Sequence, residues 1–197
     1  MKKISFILLL CVFILSSCKK DEESYPKELD FKQMFRFIGI SPYAISNEFK
    51  GIYDTTYHFV SPHIENIYSL VTEEKIYRVS FNFSNGNSLD KFTVSVKESY
   101  KTAGSIVSFV EKLSKRASNA SPKIEADTYY AEYTNVSSSI KSYDNRESFW
   151  SDVSSKEIER LSEHWILTRS DGVSVRFEIR LEFDNNLYKL YIYGQVV

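Results

Sequence analysis

The stretch from Val173 to Asp184 restricts the fold more than any other part of this chain. Val173, Val175, Phe177, Ile179, Leu181 and Phe183 alternate without a break with Ser174, Arg176, Glu178, Arg180, Glu182 and Asp184. Successive side chains of a strand point to opposite faces, so this pattern describes a strand that is apolar on one face and charged on the other. An antiparallel sheet with one face on a core and one in water accommodates it; a parallel sheet covered on both faces does not.

Similar strands precede it. Tyr77, Val79, Phe81 and Phe83 alternate with Arg78, Ser80 and Asn82. Ser84-Asn85-Gly86-Asn87 then carries the Asn-Gly hairpin signal, and Phe92, Val94 and Val96 continue as the partner. Ile64–Val71, residues 124–134, His164–Thr168 and Leu187–Val196 read as further strands, with turns at Ser170-Asp171-Gly172 and Asp184-Asn185-Asn186. Residues 52–64 show no period and read as irregular.

Helices are marked by their caps. Asp30 with Gln33, and Ser41 with Pro42, open two short helices stopped by Gly39 and Gly51. Ile106, Val107, Val110 and Leu113 form one stripe of a longer helix that starts at Thr102 or Ser105. Asp144-x-x-Glu147 and Ser154-x-x-Glu157 predict helices near 145–153 and 155–161. Strand runs separated by helices define an α+β fold with helices packed on one face of an antiparallel sheet. The expected domain covers residues 29–197, with possible halves 29–100 and 101–197. Their shared helix-then-meander rhythm resembles duplicated α+β lipoprotein modules such as the beta-lactamase-inhibitor-protein-like fold, which implies two similar halves.

The N-terminus has a different character. Met1-Lys2-Lys3 is followed by an uncharged apolar run from Ile4 to Leu15, too short for the ~20 residues that span a bilayer, and then by Ser16-Ser17-Cys18. This resembles the bacterial lipoprotein lipobox, implying a signal peptide over residues 1–17 and lipidation at Cys18. Two or three acyl chains, at about 0.8 kcal/mol per buried CH₂, hold a protein on a membrane stably. Lys20, Asp21 and Glu22 resemble the short Lys-acidic export signal of surface lipoproteins in Bacteroidetes. Residues 18–28 read as a lipidated tether, and the implied address is the outer membrane, facing the exterior or the periplasm.

Composition narrows the chemistry. Without Lys2 and Lys3 the 25 basic residues become 23 against 26 acidic ones, a net charge near −3. This speaks against a nucleic-acid partner. The two cysteines are Cys11 and Cys18; neither would remain as a thiol, which excludes a disulfide framework and a Cys-ligated metal. Fourteen Phe and fourteen Tyr can supply the core. Six glycines include no phosphate-cradling loop and no Gly-x-Ser-x-Gly.

His58 and His63, five apart around Pro62, could meet Glu65 over a metal, but no second ligand cluster accompanies them. His164 beside Trp165 reads as structural. The charges of the 174–184 strand read as cross-strand ion pairs. No metal, no cofactor and no catalytic set is expected. Tyr129, Tyr130, Tyr133 and Trp150 are the candidate contacts for a protein or glycan partner, since exposed amphipathic rings favour such contacts. The expected function is a non-enzymatic, membrane-tethered binding module. The alternatives are an inhibitor or immunity-type lipoprotein, and an envelope hydrolase with His58 or His63 in a pocket.

Overall fold

The computed structural model describes residues 25–120, 124–133, 140–155 and 158–197. Cys18, Lys20, Asp21 and Glu22 lie outside them. Nine strands form one antiparallel sheet: β1 Ile52–His58, β2 Ile64–Val71, β3 Ile76–Phe83, β4 Lys91–Val96, β5 Ile124–Tyr133, β6 Lys141–Tyr143, β7 Ile158–Thr168, β8 Ser174–Asp184 and β9 Leu187–Val196. Their order is β1-β2-β3-β4-β9-β8-β7-β5-β6. The helices are α1 Phe31–Phe37, α2 Pro42–Glu48, α3 Val107–Ala120 and α4 Arg146–Ser155, with a 3₁₀ turn at Ala103–Ser105. The fold is α+β.

Three helix starts follow their caps, whereas α3 begins at Val107, after the 3₁₀ turn, and not at Thr102 or Ser105; the Thr102 side chain caps nothing. Asp30 accepts from the Gln33 amide at 3.0 Å and Ser41 from the Ala44 amide at 3.4 Å. The cap of α4 is Asn145, which accepts from the Ser148 amide at 2.9 Å, one residue beyond the expected Asp144. Asn185 and Asn186 turn β8 into β9 with φ of 52° and 63°, the left-handed pair of a tight hairpin.

The short strand β6, Lys141–Tyr143, is marked by no sequence signal, and two further elements differ from expectation. Residues 158–161, expected to be helical, begin β7. The hydroxyl of Ser154 donates back to the Trp150 carbonyl at 2.6 Å inside α4 instead of capping a new helix. The Tyr188 hydroxyl holds the Ile158 carbonyl at 2.6 Å, at the start of β7. Residues 52–58, expected to be irregular, form the edge strand β1. A register shift between Tyr53 and Thr55 breaks their alternation, which is why no period of two is visible there.

The four helices among the described residues cover one face of the sheet. Phe31 and Phe35 of α1 meet Phe177 edge-on at 5.8 and 5.1 Å, and Phe37 and Phe49, flanking α2, meet Phe81 at 5.8 and 5.1 Å. α3 lies over β8, and α4 over β5 and β6. β4 pairs with β9, so residues 29–100 and 101–197 share one sheet and one core. An inner row of Phe81, Phe92, Gly194, Phe177 and Trp165 crosses that seam. The two stretches are not equivalent: the first is a four-strand meander, the second a three-strand meander with β5 and β6 added beyond β7.

Candidate functional site

The face of the sheet that no described helix covers carries a cleft of about 340 Å³, and registry explains its position. Tyr130 of β5 lies opposite Ser162 of β7, Ser162 opposite Arg180 of β8, and Arg180 opposite Tyr191 of β9. Along β7, Ser162 is flanked on the same face by Arg160 and His164. A serine is thus ringed by four longer side chains, and its short side chain leaves a depression. Ser162 is 7% exposed and forms the floor.

Two neighbouring rows wall the depression. On one side Glu132, Arg160, Glu182 and Lys189 alternate in sign from strand to strand. On the other run Thr128, His164, Glu178 and Tyr193. Cross-strand partners of opposite sign favour this arrangement. The Arg180 Nε donates to Glu178 at 2.5 Å, and Arg160 lies 3.8 Å from Glu132. The guanidinium of Arg180 also sits over the Tyr193 ring at 5.3 Å, as does Lys91 at 5.7 Å. Tyr191 and Tyr193 stack at 6.0 Å.

His164 stands between the Ser162 hydroxyl, 3.0 Å from its Nε2, and Glu178, 3.7 Å from its Nδ1. Its pKa is held below the usual imidazole value. Burial is the main cause, Arg180 and Arg176 act the same way, and Glu178 opposes them. The imidazole is therefore neutral near pH 7. The lining then holds two cations, Arg160 and Arg180, against three carboxylates, Glu132, Glu178 and Glu182.

Serine, histidine and glutamate stand in line, but among the described residues no pair of backbone N–H groups faces Ser162 to stabilise an oxyanion. β7 and β8 are interior strands paired on both edges, so their backbone N–H groups lie in the ladder and do not point into the cleft. What the cleft does offer is a fixed array of donors and acceptors bounded by aromatic rings.

A second polar cluster lies under the helices. Glu163 points inward from β7 and is 1% exposed. Ser114 of α3 donates to it, and the Arg146 Nη1 at the start of α4 lies 2.9 Å from its Oε1. The other guanidinium nitrogen of Arg146 reaches Ser114. A charge pair with its hydrogen bonds thus ties α3, α4 and β7 together.

The expected contact residues do not form one patch. Tyr129 and Trp150 are core residues, 4% and 5% exposed, on the helix side. Their rings pack on Phe149 at 5.2 and 4.9 Å and cannot be offered to a partner. Tyr130, one residue out of phase, borders the cleft. The Tyr133 side chain lies outside the described ones. His58 and His63 sit at the β1–β2 hairpin, where His63 packs on Phe59 at 4.8 Å. Among the described residues no group of three His, Cys, Asp or Glu is placed to hold a metal. Ser162, Arg160 and Glu132 entered no motif; their signal was the outward phase of β5 and β7. None of the described helices is long and apolar enough to cross a membrane. Comparison with family models, with curated proteins and with solved structures finds no match to this chain.

Proposed function

We propose that this chain is a membrane-tethered binding module that holds its partner on the open face of the sheet, at the Ser162 cleft. The lipid on Cys18 anchors it to the outer membrane, and Lys20, Asp21 and Glu22 direct it outward. One observation carries the reading: a nine-stranded sheet buries one face under four helices, while the other presents a preformed depression and, among the described residues, no covering helix. The entry of the chain supports it. Glu28 pairs with Arg116 of α3 at 3.1 Å and Leu29 joins the core, so the first described residues enter the domain on the helix side.

An inhibitor of the immunity type would offer a concentrated acidic or aromatic patch. The cleft instead mixes two guanidiniums with three carboxylates, which gives that reading less support. The line Ser162–His164–Glu178 favours a hydrolase as second reading, at His164 and not at His58 or His63. A fluorophosphonate probe separates the two. Covalent labelling lost in Ser162→Ala would make the chain an enzyme; the binding reading expects no label.

The binding test uses the full chain in mild detergent micelles, immobilised and exposed to envelope extract. The parent chain should retain a specific envelope protein or glycan, and Ser162→Trp, which fills the cleft from its floor, should not. Equal retention by both would remove the cleft from the function.

A further inference from the structure

We infer that the occupant of the cleft is a neutral oligosaccharide lying across the strands from Tyr130 to Tyr191. This rests on the reading of the open face as a binding surface and adds the class and direction of the ligand.

Charge selects the class. Three carboxylates around the floor repel polyanions such as nucleic acid, uronate chains and sulfated glycans. Two guanidiniums, each beside a carboxylate, leave a single carboxylate, Glu182, in excess, a weak pull for a polycationic peptide. A protein hot spot would need a buried apolar centre ringed by polar groups. Here the order is reversed: Ser162 is at the centre, while the one large aliphatic side chain of the lining, Ile140, and the rings lie around it. An uncharged ligand dense in hydroxyl groups can bond the carboxylates, guanidiniums and hydroxyl of the lining without bringing a like charge against them.

Preorganisation points the same way. The Arg180–Glu178 contact at 2.5 Å and the His164–Ser162 contact at 3.0 Å hold those side chains before any ligand arrives. Binding therefore loses less rotamer freedom than at a surface of free side chains. Tyr130 is fixed edge-on against His164 at 5.6 Å, and Tyr191 is backed by Tyr193. Rigid rings of this kind pack against the C–H faces of a sugar, while guanidinium and carboxylate groups bond its hydroxyls.

Registry sets the direction. Tyr130, Ser162, Arg180 and Tyr191 form one row on four adjacent strands, β5, β7, β8 and β9. Three inter-strand spacings span roughly 14 Å. That is the reach of a short oligosaccharide rather than one ring. The chain would rest on Tyr130 at one end and Tyr191 at the other, with a hydroxymethyl or hydroxyl group lowered toward Ser162.

The test is titration calorimetry of the full chain in micelles. The probes are neutral gluco-, manno-, xylo- and galacto-oligosaccharides of one to six units, with polygalacturonate and heparin as acidic comparisons. At least one neutral series should bind, with affinity rising until the chain bridges the row of about 14 Å and then levelling. Tyr130→Ala and Tyr191→Ala should each weaken the long chains by about tenfold, the scale of one lost ring contact. The loss at Tyr191 should vanish for single sugars bound at Ser162. Thermal melts of both variants should match the parent, because neither ring is in the core. Failure of every neutral series, or indifference of their binding to both tyrosines, overturns the inference. If neutral sugars fail while Ser162→Trp still abolishes retention of an envelope protein, the open face stands as a binding surface and only the ligand class falls. If Ser162→Trp changes nothing either, both fall.

Discussion

Replacing Arg146 by Met should destabilise the domain more than any surface change of similar size. Glu163 is 1% exposed, and the guanidinium 2.9 Å from it supplies a compensating charge. Two unit charges about 4 Å apart interact by about 4 kcal/mol at an effective dielectric near 20. Removing one partner of a buried pair costs about 3–5 kcal/mol, because the remaining charge stays desolvated. The Arg146 side chain is 26% exposed, so part of its field is already screened and the lower figure, about 3 kcal/mol, applies. At roughly 2–4 °C per kcal/mol for a domain of this size, Tm should fall by about 6–12 °C. Circular dichroism melts of the chain from residue 25, which contains every core residue from Leu29 to Ile192, would measure it. The double variant Arg146→Met, Glu163→Met should recover most of the loss, since an apolar replacement of a buried pair is often neutral. A drop under about 2 °C for Arg146→Met, or a double variant no better than the single one, would refute the view of Glu163 as a buried charge balanced across the helix–sheet boundary.

Three further outcomes can be tested, two from the structure and one from the proposed anchor. A Cβ at Gly194 would lie 2.3 Å from the Phe92 ring in the inner aromatic row, so Gly194→Val should cost about 1–3 kcal/mol in a denaturant melt. His164 has a depressed pKa, so the unfolded chain takes up a proton first on acidification. Its contribution is therefore present above about pH 6.5 and lost as pH falls toward the lower folded value. His164→Asn should flatten that part of the stability–pH curve, and an unchanged slope would show that another group sets it. Cys18→Ala should abolish palmitate labelling of the full chain, and persistent labelling would remove the proposed anchor.

Much of the fold could be read from local pattern because the local signals agreed with one another. The alternation of residues 173–184, which burial follows from Val175 to Leu181 before Phe183 turns out exposed, the cap at Asp30 and the turn residues Asn185 and Asn186 each correspond to a feature of the structure. The errors came where two local codes competed. Ser154-x-x-Glu157 has the spacing of a capping box, but Leu161, Trp165 and Leu167 need the inner face of a strand, and burial against β8 outweighs a cap worth about 1 kcal/mol. Glu163 shows the converse. It occupies the apolar phase of β7, a conflict visible in the sequence. Its resolution by Ser114 and Arg146 is not visible, because those residues lie 49 and 17 positions away in the chain.

The cleft is less legible for a physical reason. A strand pattern tells which side chains share a face but not which strand lies beside it, and the depression exists only because β5 and β8 flank β7. The chain order would place β6 between β5 and β7; the structure sends β6 to the edge and sets Tyr130 directly opposite Ser162. Tyr129 and Tyr130 were equal candidates as residues, and one step of phase separates a ring packed on Phe149 from a ring at the cleft. A serine attracts attention as a nucleophile when glycines or a base adjoin it in sequence. Ser162 matters here for being short among Arg160, His164, Tyr130 and Arg180, a property of two-dimensional registry on the sheet. The partner-binding surface of such a fold is therefore best sought where a small outward residue falls among large ones on three adjacent strands. In this chain the outward rows of β5, β7 and β8 meet that condition at Ser162.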